Sequence, residues 1–176
     1  MHDACINGLM HHTYRMMESA LSIRHLYPEA NWDLVIAGVI IHDIGKIDEF
    51  STDHFGLVKE YSRRGELLGH QIIGIGYLNQ CVNSLYADGT FNVDDELCID
   101  EYVDLLSHML ESHHGRPEYG SAKPPAFMEA QIINYLDEMD AKIVMFKEAE
   151  NELQPGTVSV GKPFGIGTRV YRPSFK

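Results

Sequence analysis

The stretch Asn31-Trp32-Asp33-Leu34-Val35-Ile36-Ala37-Gly38-Val39-Ile40-Ile41-His42-Asp43-Ile44-Gly45-Lys46 decides how this chain reads. Leu34 to Ile41 carries no polar side chain, Asn31 or Asp33 is positioned to cap its start, and Gly45 marks its end, so it reads as a helix. A helix apolar nearly all round belongs at the centre of a domain. His42 and Asp43 close it off, and such groups rarely lie beside an apolar helix without a partner or a metal. They also end the apolar run far short of the roughly 20 residues that span a bilayer.

Working outward, Gly8 to about Leu26 places Leu9, Met10, Met16, Met17, Ala20, Leu21 and Ile23 on one helical side, with Pro28 just beyond. From Ile47 to about Arg64 the periodicity disappears among Asp48, Ser51, Asp53, His54 and Gly56, which predicts a loop with at most a short helix. A third helix is expected from Glu66 to Tyr86. A turn through Asn83, Asp88, Gly89 and Asn92 precedes a fourth, from Asp94 or Asp95 to about His113. A fifth starts by Pro125 and runs through Phe127, Ile132, Ile133, Leu136, Met139, Ile143 and Phe146. The expected architecture is all-α, with five or more helices. Residues 1–154 form the domain, and Pro155 to Lys176 forms an irregular or β-like C-terminal extension rich in Gly and Pro. That segment carries Lys162, Arg169, Arg172 and Lys176 and no acid, so it could dock on the acidic body, bind nucleic acid or mediate self-association.

Composition narrows the function. A chain of 176 residues that is 44% apolar and 23% charged is one packed globule, neither disordered nor fibrous. Its net charge of -12 argues against nonspecific adhesion to nucleic acid or anionic membrane, but an acidic pocket can hold metal. The start, Met1-His2-Asp3-Ala4, lacks the pattern of a signal peptide, so a cytoplasmic location without a membrane partner is expected. Cys5, Cys81 and Cys98 fit neither a disulfide framework nor a metal motif and are expected to be reduced, mostly buried thiols. The methionines Met10, Met16, Met17, Met139 and Met145 are expected in the core.

The ten histidines are the unusual component. His12 lies among apolar residues of the first helix, His70 follows Gly69 in the third, His113-His114 closes the fourth, and Asp137 sits among Ile133, Leu136 and Met139 of the fifth. Each one alone reads as a hydrogen-bonded core group. Together, helices that each contribute an inward His or Asp build a metal centre, with donors suited to Mn, Fe, Co, Ni or Zn rather than Ca or Mg. Adjacent helical residues point about 100° apart, so His113 and His114 can both contribute only if the helix ends there, as Gly115 would allow. Asp140 is either a support one turn beyond Asp137 or a surface charge. His108 reads as a satisfied core histidine, and His2, His11, His25 and His54 as surface groups. Arg63, Arg64, Arg116 and Lys123 are expected on loops near the site.

In this order, His12, His42-Asp43, His70, His113-His114 and Asp137 resemble the ligand set of the HD-domain metal-dependent phosphohydrolases. The segments Gly8-Leu9-Met10-His11-His12-Thr13, Ile41-His42-Asp43-Ile44-Gly45-Lys46-Ile47, Gly65-Glu66-Leu67-Leu68-Gly69-His70 and Ser112-His113-His114-Gly115 are similar to the HD domain of YhaM-type 3'-5' exoribonucleases. So are Glu118-Tyr119-Gly120-Ser121, the run Tyr135-Leu136-Asp137-Glu138-Met139-Asp140-Ala141-Lys142 and the end Arg169-Val170-Tyr171-Arg172-Pro173. Members of that family carry an OB-fold domain ahead of the HD domain, whereas this sequence begins almost at the first motif. Arg116-Pro117-Glu118-Tyr119-Gly120 stands where the HD-GYP branch would carry Gly-Tyr-Pro.

The resemblance implies an HD helical bundle and a dinuclear centre, with Mn expected and Fe, Co, Ni or Zn as alternatives. His12, His42, Asp43 and Asp137 would hold one ion, and Asp43 would bridge to a second held by His70, His113 and His114. Two ions about 3.5–4 Å apart would activate a water, and Lys46 would contact the substrate phosphate. The expected activity is 3'-5' exoribonuclease-like cleavage of single-stranded RNA or short oligonucleotides. A phosphohydrolase of mononucleotides or of cyclic or alarmone nucleotides, or a noncatalytic metal-stabilised module, are the alternatives.

Overall fold

The structure is a computed structural model and describes residues 8–54, 57–92 and 96–175. Helix α1 spans Gly8–Ile23 and runs into a 3-10 turn at Arg24–Leu26, α2 spans Trp32–Ile41, and α3 is the short Lys46–Glu49. An antiparallel hairpin, β1 at Phe50–Thr52 and β2 at Val58–Tyr61, precedes α4 at Arg63–Ala87, α5 at Glu96–Ser112 and α6 at Met128–Asn151. This is the expected all-α bundle. Among the described residues no helix is long and apolar enough to cross a membrane.

Each helix is held by a stripe of buried residues. On α1 the stripe is Gly8, His12, Met16 and Ala20, one residue every fourth position; on α6 it is Ala130, Ile133, Leu136, Asp137 and Asp140. They close on Leu34, Val35 and Val39 of α2 and Met109 of α5. The side chain of Asn31 accepts from the Leu34 amide, the expected cap, and the Asn31 amide donates to Glu129 at the start of α6. In α1 and α6 the stripe changes from apolar to ionisable partway along, so one buried face both packs the core and supplies the site.

Several expectations need correction. The segment after Ile47 holds a β-hairpin as well as the short helix. Asn83 lies inside α4, which continues to Ala87, and Asp94 and Asp95 lie outside the described residues. Helix α6 begins at Met128 rather than by Pro125, because the Ala126 amide donates to Nε2 of His108 and pins the preceding chain to α5. His108 is thereby satisfied, as expected, and its ring packs on Phe127. Ile40 is 54% exposed, so α2 is covered on three sides by α1, α5 and α6 but not all round. Cys81 and Cys98 are exposed on the outer faces of α4 and α5; Cys5 lies outside the described residues. Of the five methionines expected in the core, Met10, Met16, Met17, Met139 and Met145, only Met16 is fully buried, while Met10 and Met139 face outward.

The C-terminal arm folds back on itself through an antiparallel bridge between Val158 and Tyr171 and buries Val170. Arg172 donates to the Glu150 and Leu153 carbonyls at the end of α6, a cation on the negative end of a helix dipole. Lys142 donates to the Gly165 carbonyl.

Candidate metal centre

Helix α2 stops at Ile41, and a hydrogen-bonded turn carries His42 and Asp43 into the bundle interior, where they are 1% and 2% exposed. Asp43 lies between two histidine-rich groups. Its Oδ2 is 3.3 Å from Nε2 of His42 and 3.8 Å from Nε2 of His12; its Oδ1 is 3.5 Å from Nε2 of His70 and 3.6 Å from Nε2 of His113. His12, His42 and Asp137 form one group able to hold an ion, and His70, His113 and His114 form the other.

Within the first group Nε2 of His12 is 3.2 Å from both Nε2 of His42 and Oδ1 of Asp137. Within the second, Nε2 of His114 is 3.2 Å from Nε2 of His70. Ligand atoms around one ion at bonds of about 2.1 Å lie about 3 Å apart, so these spacings suit a shared ion. Oδ1 of Asp43 and Nε2 of His113 are buried without a hydrogen-bond partner, which is costly unless a cation stands between them. The donor set, imidazoles and carboxylates without thiolates, fits divalent transition metals.

The rings are aimed from behind. Nδ1 of His42 donates to the Val39 carbonyl and Nδ1 of His113 to the Leu110 carbonyl, both at 2.8 Å, which leaves each Nε2 lone pair facing the cavity. Nδ1 of His12 is 2.7 Å from Oδ2 of Asp140, which also receives Arg15. Asp140 is therefore a support for the site and not a surface charge. Nδ1 of His70 lies 3.0 Å from Glu49 at the end of α3.

Glu49 was not among the residues expected from sequence. Its role depends on Gly69, whose φ of 70° and ψ of 161° break α4 just before His70. The break leaves the His70 amide without a helical acceptor, and the Glu49 carboxylate takes that amide as well as the ring. Helix α5 ends before His113, and Gly115, at φ 79° with its amide on the Ser112 carbonyl, turns the chain so that both His113 and His114 face the cavity.

Burial disfavours every charge here, yet local partners decide the outcome. For Asp43, His42 and Lys46 outweigh burial and hold the carboxyl well below its usual range. For Asp137, bonds to His114 and His12 do the same. His12 is pushed up to about 8, because Asp137, Asp140 and Asp43 overcome burial, so without metal it is an imidazolium between carboxylates. His113 goes the other way, lowered to about 4 chiefly by burial. Lys46 is the first residue of α3, and its Nζ lies 2.6 Å from Oδ2 of Asp43, which raises its pKa against the effect of burial.

All seven sequence-predicted ligands and Lys46 thus converge. Of the four loop cations, Arg63 and Arg64 belong to the first turn of α4, where Arg64 pairs with Asp48; Lys123 is exposed, and Arg116 lines a cavity beside His114. His11, His25 and His54 are exposed, as expected, and His2 lies outside the described residues.

The profile of the HD domain matches residues 9–142. A protein named 3'-5' exoribonuclease YhaM from Geobacillus sp. strain WCH70 is 39% identical over 155 residues, 88% of this chain and 44% of that protein. Proteins of the same name from Bacillus velezensis and Bacillus licheniformis are 36% and 37% identical over 175 residues, 99% of this chain and 51% of each of theirs. The chain spans about half the length of these curated relatives. No solved structure matches. With seven His and Asp donors gathered in the expected order inside the matched region, the chain belongs to the HD-domain family of metal-dependent phosphohydrolases.

Proposed function

We propose that this chain hydrolyses phosphodiesters at a dinuclear site and shortens single-stranded RNA or short oligonucleotides from the 3' end. The observation that carries the proposal is Asp43, whose two oxygens face two separate groups of donors. His12, His42, Asp43 and Asp137 would hold one divalent ion, and Asp43, His70, His113 and His114 the other, with Mn as the expected metal. When bound, such a pair supplies a hydroxide near neutral pH and charge to offset the attacked phosphate.

The chain's own groups complete the chemistry. Lys46 neutralises Oδ2 of Asp43 in the metal-free state; once that oxygen serves as a ligand, the ammonium is available to a phosphate oxygen of the substrate. Asp140 and Glu49 hold His12 and His70 in orientation and increase their donor strength. The C-terminal residues 155–176 extend the same domain, a reading supported by buried Val170 and by Arg172 on the end of α6. The direction and RNA preference rest on the name of relatives that are about twice as long.

The test reconstitutes metal-stripped protein with Mn and follows bis-p-nitrophenyl phosphate and a short RNA with a free 3' end, with Asp43→Ala as background. Stepwise shortening from the 3' end is the expected result. Cleavage of the small ester alone would move the substrate to nucleotides, and silence on both would leave a noncatalytic module.

A further inference from the structure

Two recesses flank the metal centre, and their chemistry differs. Between α1 and the α2–α3 turn lies an apolar groove with Met10, Ile40 and Ile47 around Asp43. On the His114 side, between the turn after α5 and the outer face of α6, lies a cavity of about 270 Å³ whose lining includes Arg116, Tyr119, Asn134, Tyr135 and Glu138. Gly115, the residue after His114, forms part of its wall, so the cavity adjoins the second group of donors.

We propose that this second cavity binds the ribonucleoside of the nucleotide being cleaved. The inference rests on the phosphodiesterase reading of the adjacent centre and adds to it a substrate class. Tyr135 and Glu138 stand three residues apart on α6 and share one face. Glu138 follows Asp137, but adjacent helical side chains diverge by about 100°, so it faces the cavity while Asp137 faces the histidines. Its carboxylate suits the paired 2' and 3' hydroxyls of a ribose, which are donors, and repels phosphate toward Arg116 and the centre. Tyr119 and Tyr135, 61% and 63% exposed, offer aromatic faces on which any base can stack. Asn134 gives the cavity a fixed wall, since its amide donates to the His113 carbonyl and accepts from Gln131. The volume of about 270 Å³ accommodates a single nucleoside.

The experiment is calorimetric titration of Mn-loaded full chain with adenosine 5'-monophosphate and with its 2',3'-dideoxy analogue, with metal content measured in each variant. Wild type should bind the ribonucleotide more tightly than the dideoxy compound. Tyr135→Ala should weaken the ribonucleotide about tenfold, and Tyr135→Phe should restore it. Glu138→Gln should reduce the preference for ribose while metal content stays at the wild-type value. Equal binding of the two nucleotides by wild type, or unchanged binding in Tyr135→Ala, would overturn the proposal. If the nucleotide binds as described but RNA is not shortened, the cavity stands and the exoribonuclease reading falls; RNA shortening with binding indifferent to Tyr135 is the reverse.

Discussion

The two groups of donors share Asp43 but are built differently. The His12 group is closed: His12 and His42 are buried, Asp137 is 7% exposed, and behind His12 stands a chain of charge, Asp140 then Arg15. The His70 group is more open: His113 is buried, but the side chains of His70 and His114 are 13% and 24% exposed. The difference teaches that one half of the centre is integral to the core while the other is reached from solvent. Changes in the first should therefore register as stability and metal retention, and changes in the second as substrate handling.

The largest effect should come from the residue both halves share. Asp43→Ala should lower Mn-dependent hydrolysis of bis-p-nitrophenyl phosphate by roughly 10³-fold or more while circular dichroism still reports a helical protein. Full activity in that variant would break the account of the site.

Next comes the contrast itself. His12→Ala removes a buried ring from between Asp137 and Asp140 and should cost about 2–4 kcal/mol, read as a melting point lower by about 5–15 °C. His114→Ala, whose side chain is 24% exposed but bonds Asp137, should cost less than His12→Ala, about 1–2 kcal/mol, and still impair turnover. Equal losses of stability would erase the distinction between a closed and an open half.

Acidity should register at the closed half too. Without metal, His12 has its pKa raised from 6.5 to about 8, so its protonation favours the folded chain fully below pH 6.5, and that contribution is lost as pH rises through about 8. Metal binding runs in the opposite sense, because the ring must shed its proton to become a ligand. An ion held by the His12 group should therefore bind more tightly as pH rises from 6.5 through about 8. His113, lowered to about 4, is already proton-free in this range. Titration with Mn at several pH values checks this, and an affinity at the His12 group that does not rise between about pH 6.5 and 8.5 would contradict it.

The smallest expected effects concern the supports. Asp140→Asn should weaken metal binding by about tenfold, the low end for losing a carboxylate behind a ligand. Glu49→Gln should cost less, because the remaining carbonyl oxygen can still accept from the His70 amide and ring. A larger loss in Glu49→Gln would mean that the open half depends on charge as strongly as the closed one.

The ligands were legible in the sequence because His12 and Asp137 are polar residues on otherwise apolar helical faces, while His42-Asp43 and His113-His114 close apolar helical segments. Asp140 was half legible, one turn from Asp137 but equally suited to a surface. Glu49 was not, since it sits in a polar stretch and meets His70 across 21 residues through a helix break that only Gly69 hinted at. The β-hairpin escaped for a related reason: strands of three and four residues with mixed polarity carry too little alternation to stand out. The start of α6 was misplaced because the Ala126–His108 bond is tertiary, and a favourable Pro125 cannot reveal it.

The central claim is that Asp43 bridges two ions, and the most direct measurement is Mn content with electron paramagnetic resonance on wild type and Asp43→Ala. Two Mn per chain with an exchange-coupled signal in wild type, and loss of that coupling in the variant, is the predicted result. A single ion per chain in wild type, or a coupled pair that survives in Asp43→Ala, would contradict it.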